Sequence, residues 1–213
     1  MHRFLQTTAW SFLLDQKIAS LPVDPFRIAT QNGWKIYTYE AFAAVVGKSV
    51  AELIARYEKD GFAFCAKGDD TFVICYNSAL PFSTCRWTLL HEIAHIHLGH
   101  INPQTPIISR VRTEYRSLLE QEAQGFARRV LCPSIVLHHC KAHEPDQIMR
   151  LCGVSRDAAN YRSKYLKKLE TRGMFGVHPL ERKVEAQFAP FVRRYLLREA
   201  KIRSCNFWRR SIA

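Results

Sequence analysis

A chain of 213 residues is long enough to bury one sizeable core with a small appendage. Its 47% apolar and 23% charged composition is that of a soluble globular protein, and no apolar run reaches the ~18–20 residues that a membrane span needs. The net charge is +12, and residues 150–213 hold 16 Lys/Arg against 5 Asp/Glu, which puts +11 of it in the last 64 residues. That asymmetry points to nucleic acid or an acidic protein as a partner of residues 150–213, or to a solvated basic tail.

Residues 2–20 read as an amphipathic helix and not as a signal peptide. Their apolar piece at 9–14 is short, is broken by Ser11, and leads to no tidy cleavage site. Seven cysteines at irregular spacing suit reduced thiols better than a disulfide framework, so the expected location is cytoplasmic. Leu21-Pro22-Val23-Asp24-Pro25 breaks the first helix. Asp24 and Pro25 supply the cap and first residue of a short helix over 25–32, closed by Gly33. Residues 34–38 alternate as a strand, 40–46 look helical, and Gly47 ends that helix. Ser49 is the expected cap of a helix over 50–59, with Glu52 in its first turn.

Residues 62–66 and 71–76 are β-rich runs separated by Lys67-Gly68-Asp69-Asp70, a hairpin signal. The second strand runs through 77–81 into a helix for which Ser83 is the expected cap. An edge strand beside that helix could hold an extended peptide by main-chain hydrogen bonds. Residues 101–106 form a proline-marked loop. A long helix over 110–131 ends at Cys132-Pro133, because proline cannot continue the backbone ladder. Helices over 134–140, 146–151 and 155–170 follow. A basic helix over 179–203, interrupted or kinked at Pro190, closes the chain.

Chemistry concentrates in residues 89–100, where His91-Glu92-Ile93-Ala94-His95 gives H-E-x-x-H within an apolar helical frame. Residues four apart on a helix share a face, so His91 and His95 can offer two imidazoles to one metal. Glu92 can then lean over a metal-activated water as general base. Burying two histidines and a glutamate without partners is expensive, which argues against a purely structural reason for them. The expected cofactor is Zn2+, and the expected chemistry is hydrolysis of a peptide bond.

Zinc held by two histidines needs a third protein ligand and one open position. Glu114, Glu120 and Glu122 are the candidates on the next helix. Glu120 and Glu122 lie about 80° to either side of its apolar face. Ala123 and Ala127, on Glu120's side, would allow close approach to the first helix and favour Glu120, with Glu122 next. Gln124 could hydrogen-bond a ligand or remain an ordinary polar residue. Gly99 and His100 miss the longer three-histidine zinc spacing, so His100 is expected as a helix-end residue favoured by the dipole. The oxyanion donor stays open among Tyr115, His97 and arginines. Cys132, His138, His139, Cys140, His143 and Cys152 could suggest a second zinc site, but they match no tight cysteine spacing, and buried thiols with surface histidines are expected there.

The chain resembles the ImmA/IrrE family of bacterial metallo-endopeptidases over roughly residues 20–135. The carrying motifs are Pro22-Val23-Asp24-Pro25, residues 74–81 (ICYNSALP), residues 86–100 (RWTLLHEIAHIHLGH) and residues 120–133 (EQEAQGFARRVLCP). The family's E-x-x-A-[ND]-x-F-A pattern falls on Glu120 and implies it as the metal glutamate. Gln124 stands where Asn or Asp is usual, and Cys132 where methionine is common. The resemblance implies cleavage of a helix-turn-helix repressor of a mobile element or stress response. The alternative is a non-catalytic regulator that binds a partner or DNA through the basic C-terminal region. The expected fold is α+β: a mostly helical zincin-like metallopeptidase domain with a small antiparallel sheet over residues 1–135. A helical basic C-terminal region over 136–213 follows it.

Overall fold

The computed structural model describes residues 2–66, 71–108 and 113–211. The hairpin turn expected at 67–70 and the start of the long helix at 110–112 lie outside the described residues. In chain order the elements are α1 (His2–Asp15), α2 (Pro25–Gln31), β1 (Lys35–Thr38), α3 (Tyr39–Val46), α4 (Val50–Arg56), β2 (Gly61–Cys65) and β3 (Phe72–Tyr76). Then come α5 (Phe82–His97), α6 (Thr113–Leu131), α7 (Ser134–His139), α8 (Pro145–Cys152), α9 (Arg156–Thr171) and α10 (Pro179–Ser211). The chain is mostly helical with one small sheet. No helix of the described residues is long and apolar enough to cross a membrane.

Two compact units form, Met1–Thr8 with Asp24–Leu131 and Ala9–Val23 with Cys132–Ala213. The first holds the sheet, in the order β1-β3-β2. β2 and β3 pair antiparallel from Gly61↔Tyr76 to Cys65↔Phe72, as the hairpin signal requires. β1 joins β3 in parallel, with Lys35 opposite Val73, so the sheet is mixed. Parallel pairing needs a crossover connection, and α3 and α4 provide it. One side of the sheet packs Tyr39, Phe62, Val73 and Cys75 with Phe42, Tyr57 and Phe64, and Tyr57 stacks on Phe62 at 3.9 Å between centroids.

The caps show why these helices start where they do. Asp24 Oδ1 accepts from the Phe26 and Arg27 amides, and Ser49 and Glu52 form a reciprocal capping box. Thr38 caps α3 through the Ala41 amide. Ser83 does not cap α5. That helix begins one residue earlier, at Phe82, with extended Pro81 before it and no side-chain cap. A turn over 77–80, in which the Leu80 amide donates to the Asn77 carbonyl and the Ala79 amide to Asn77 Oδ1, leads the chain from β3 into it.

In the second unit, α7–α10 and residues 9–23 bury Phe12, Leu13, Val136, Leu137, Ile148, Leu166, Val184 and Phe188. Gln187 Nε2 donates to the carbonyls of Leu13 at 2.8 Å and Ile18 at 2.7 Å, satisfying the end of α1. Pro190 lies inside α10, which continues past it. Cys65, Cys75, Cys85, Cys132, Cys140 and Cys152 are all buried.

Gly61 sets the seating of the sheet on α5. A Cβ there would lie 2.4 Å from Thr88 Cγ2 and 2.7 Å from the Cys75 carbonyl oxygen. Neither neighbour can swing away, since one belongs to a β-branched side chain and the other to backbone. Gly61→Ala is therefore expected to cost about 1–3 kcal/mol of stability by overpacking, read as a lowered midpoint in urea denaturation. Gly33→Ala, where a Cβ meets nothing, isolates the contrasting cost of a left-handed backbone (φ +72).

Candidate metal centre

Helix α5 is apolar on nearly every side. Leu89, Leu90, Ile93 and Ala94 are fully buried, and so are Ala123, Phe126, Ala127 and Val130 on α6. The two helices pack closely within the first unit. His91 and His95 sit one turn apart on the α5 face that meets Glu120 of α6. His91 Nε2 lies 2.9 Å from Glu120 Oε2, His95 Nε2 lies 3.1 Å from His91 Nε2, and His95 Nε2 lies 3.5 Å from Glu120 Oε1.

These separations fit a shared cation. Tetrahedral zinc with bonds of about 2.0–2.1 Å keeps neighbouring ligand atoms about 3.3 Å apart. His95 Nε2 and His91 Nε2, 3.1 Å apart, are close enough to share one cation or one proton. Burial lowers the His91 pKa, but the Glu120 hydrogen bond and the charges of Glu92, Glu120 and Glu58 outweigh it and raise the net value. Burial also pushes the Glu120 carboxyl up, yet the two histidines hold it well below the usual carboxylate range. The three side chains thus form one coupled polar cluster, and these three residues could hold a metal ion.

Glu92 is buried beside this cluster. Burial raises its pKa, with His91 and His95 opposing the rise and Glu120 and Glu58 adding to it. Such a carboxyl holds its proton more tightly than an exposed one, which suits a group that must take and return a proton near neutrality.

His100 stands at the end of α5, as expected, but is also buried against His95, with Nδ1 3.0 Å from His95 Nδ1 and Nε2 3.3 Å from Glu122 Oε2. The backbone explains this. Leu98 ends α5 and Gly99 takes φ +75, so the His100 amide donates to the His95 carbonyl at 2.9 Å and the Gly99 amide to Ile96 at 3.0 Å. That pair of bonds is a Schellman cap, which brings the side chain of the second residue past the helix back onto the last turn. The Gly-His step was the sequence signal that could have located His100.

Burial, with His95 and His91 nearby, lowers the His100 pKa to about 4, so its ring is neutral. A neutral ring beside the Glu122 carboxylate turns its one N–H to that carboxylate. Its Nδ1 then accepts from His95 Nδ1–H, leaving the His95 Nε2 lone pair facing Glu120 and His91. Glu122, the runner-up ligand, thus acts through His100 and His95. Gln124 Oε1 instead accepts from Arg128 Nη2 at 3.3 Å on its own helix. Tyr115 is exposed, and His97 lies against Phe126.

A family model described as the IrrE N-terminal-like domain, Peptidase_M78, matches residues 55–164, just over half of the chain. No curated protein matches it.

Loss of the His95 partner should weaken metal binding without removing a ligand. His100→Phe is expected to reduce zinc affinity about 10–100-fold, the usual range for a partner that orients a ligating histidine. Competition with a chromophoric chelator measures it. Glu122→Gln, which keeps the shape but removes the charge, should fall between wild type and His100→Phe.

Proposed function

The chain belongs to the Peptidase_M78 family of IrrE N-terminal-like domains, and from that premise we propose that it is a zinc-dependent endopeptidase of the cytoplasm. The observation that carries this reading is the meeting of His91, His95 and Glu120 beside a buried Glu92. In this reading His91 and His95 bind through Nε2 and Glu120 through its carboxylate. Zinc supplies Lewis-acid chemistry, acidifying a water and polarising the scissile carbonyl. Glu92 takes the proton from that water and passes it to the leaving amine as the C–N bond breaks. Glu122 and His100 keep His95 in the tautomer that binds. Buried thiols agree with a reducing compartment.

The substrate we assign is a helix-turn-helix repressor of a mobile element or stress response, which rests on the family and not on the geometry. The edge strand β2 flanks β3 beside α5, and its Phe64 meets Ile107 in an isolated bridge. An extended peptide could pair along such an edge.

One observation favours a second activity on the same chain. On α10, Arg182, Lys183, Arg193, Arg194, Arg198 and Lys201 are all exposed, whereas Glu181 is buried. An exposed basic helix suits nucleic acid or an acidic protein. Binding through it would weaken steeply with salt and survive removal of zinc.

The deciding experiment combines zinc content with cleavage of a repressor encoded beside the gene. Glu120→Ala should lose the metal of this centre and all cleavage. Glu92→Gln should keep the metal and lose cleavage by at least about 100-fold, the lower range for general acid–base catalysis. Glu122→Ala should retain metal at reduced affinity. Full metal in Glu120→Ala with loss in Glu122→Ala would move the third ligand. A zinc-loaded wild type that cuts no repressor would leave the regulator reading standing.

A further inference from the structure

The second unit contains another convergence of donors that the peptidase reading does not use. His138, at the end of α7, places Nδ1 3.1 Å from Glu170 Oε1, and His143, in the loop after α7, places Nε2 3.2 Å from the same oxygen. Glu170 comes from α9. The two imidazole rings lie nearly parallel, 11° apart. We propose that His138, His143 and Glu170 form a second binding site for a divalent transition metal of the zinc class, one that ties α7 and its following loop to α9.

The site is built, not incidental. Lys141 takes φ +54, which turns the chain after α7 and returns His143 to His138. Ser163 Oγ donates to the His143 carbonyl at 2.6 Å and fixes the loop on α9. Phe175 stacks on the His138 ring at 4.1 Å and sets its orientation. The cysteines nearby in sequence take no part in the cluster.

Direct hydrogen bonding accounts for only one side of the cluster, the contact of His138 Nδ1 with Glu170 Oε1. His143 Nε2 is buried and makes no hydrogen bond among the described residues, although Glu170 Oε1 is close. The nitrogen and the oxygen are near but misaligned, as two donors to a common third atom would be. Charge points the same way. Of the five acidic residues in 150–213, Glu170, Glu181 and Glu185 gather at this end of α7. Glu170 also stands in the last turn of α9, where the helix dipole disfavours an anion. A cation between the three donors relieves both. Two imidazoles and one carboxylate suit zinc and its borderline neighbours, while calcium and magnesium prefer oxygen-only sets. Three protein ligands leave a position open to water, consistent with side chains that are a quarter to a third exposed.

Metal stoichiometry on the full chain tests this. Wild type, Glu120→Ala, His143→Gln, Glu170→Gln and the double variant Glu120→Ala/His143→Gln are loaded with Zn2+, desalted, and assayed by atomic emission. Circular dichroism records the fold of each. The two clusters predict two equivalents in wild type, one in each single variant and none in the double variant. Co2+ bound to Glu120→Ala should give visible d–d bands that disappear in the double variant. A wild type that holds a single equivalent, lost in Glu120→Ala, overturns the proposal, and so does full retention of two equivalents in His143→Gln and Glu170→Gln. The wild-type count needs no substitution, so it decides the matter even if a variant unfolds. Two equivalents retained in Glu120→Ala would instead overturn the first centre and leave this one intact.

Discussion

Ala123 and Ala127 govern how near α6 can come to α5. Both are fully buried, and both lie on Glu120's side of the helix, three and seven residues on. A branched or longer side chain at either would hold the helices apart, and Glu120 would no longer reach two imidazoles across the gap. The apolar frame matters as much as the approach. Leu89, Leu90, Ile93 and Phe126 keep water from the back of the cluster, so the charges there interact through a medium of low polarisability. Glu120 is held as a carboxylate, and Glu92 is pushed toward its protonated form. Two glutamates on neighbouring helices therefore take opposite protonation tendencies from one buried neighbourhood.

Burying this many polar groups is tolerable only if each is answered. Glu120 answers His91 and His95, and Glu122 answers His100, which in turn fixes His95. The chain of partners ends at a surface-facing carboxylate, where water completes it. What aims His100 is backbone, not side-chain packing. A left-handed glycine after α5 reverses the chain within two residues. The same device recurs after α7, where Lys141 in the left-handed region brings His143 back to His138. In both places a helix terminates so that its last turn gains an imidazole it could not carry within the helix itself.

How much of this was legible depends on range. The H-E-x-x-H face, the β2–β3 hairpin, the Asp24 cap and the Ser49 cap with Glu52 in the first turn are local patterns, and each is present as read. The parallel docking of β1 on β3 was not legible, because a four-residue strand carries no mark of its partner across two intervening helices. Ser83 failed as a cap because α5 starts before it, at Phe82, directly after the turn over 77–80 and extended Pro81. The third candidate ligand stayed ambiguous at the level of helical geometry, since Glu120 and Glu122 flank the apolar face symmetrically. The structure brings Glu120 to both imidazoles and Glu122 to His100. The cluster in the second unit was hidden for a related reason. Its carboxylate, Glu170, comes from another helix, and the cysteines beside its two histidines in the sequence are not among its members.

The two clusters share a donor set and differ in surroundings, and that difference has consequences. In the first, the side chain of His95 is 1% exposed, whereas His138 and His143 are 37% and 35% exposed. A buried set of donors has no water to fall back on, so leaving it without a cation is costly and an ion once bound is slow to leave. The second set is about a third exposed, so an ion there exchanges with the medium more readily. The preorganisation also differs. The first set rides on two long helices locked by core side chains, while the second depends on a short helix, a loop and one hydroxyl-to-carbonyl bond from Ser163. Identical donors on these two scaffolds would therefore differ in affinity by virtue of burial and rigidity alone, with the tighter site the one beside buried Glu92.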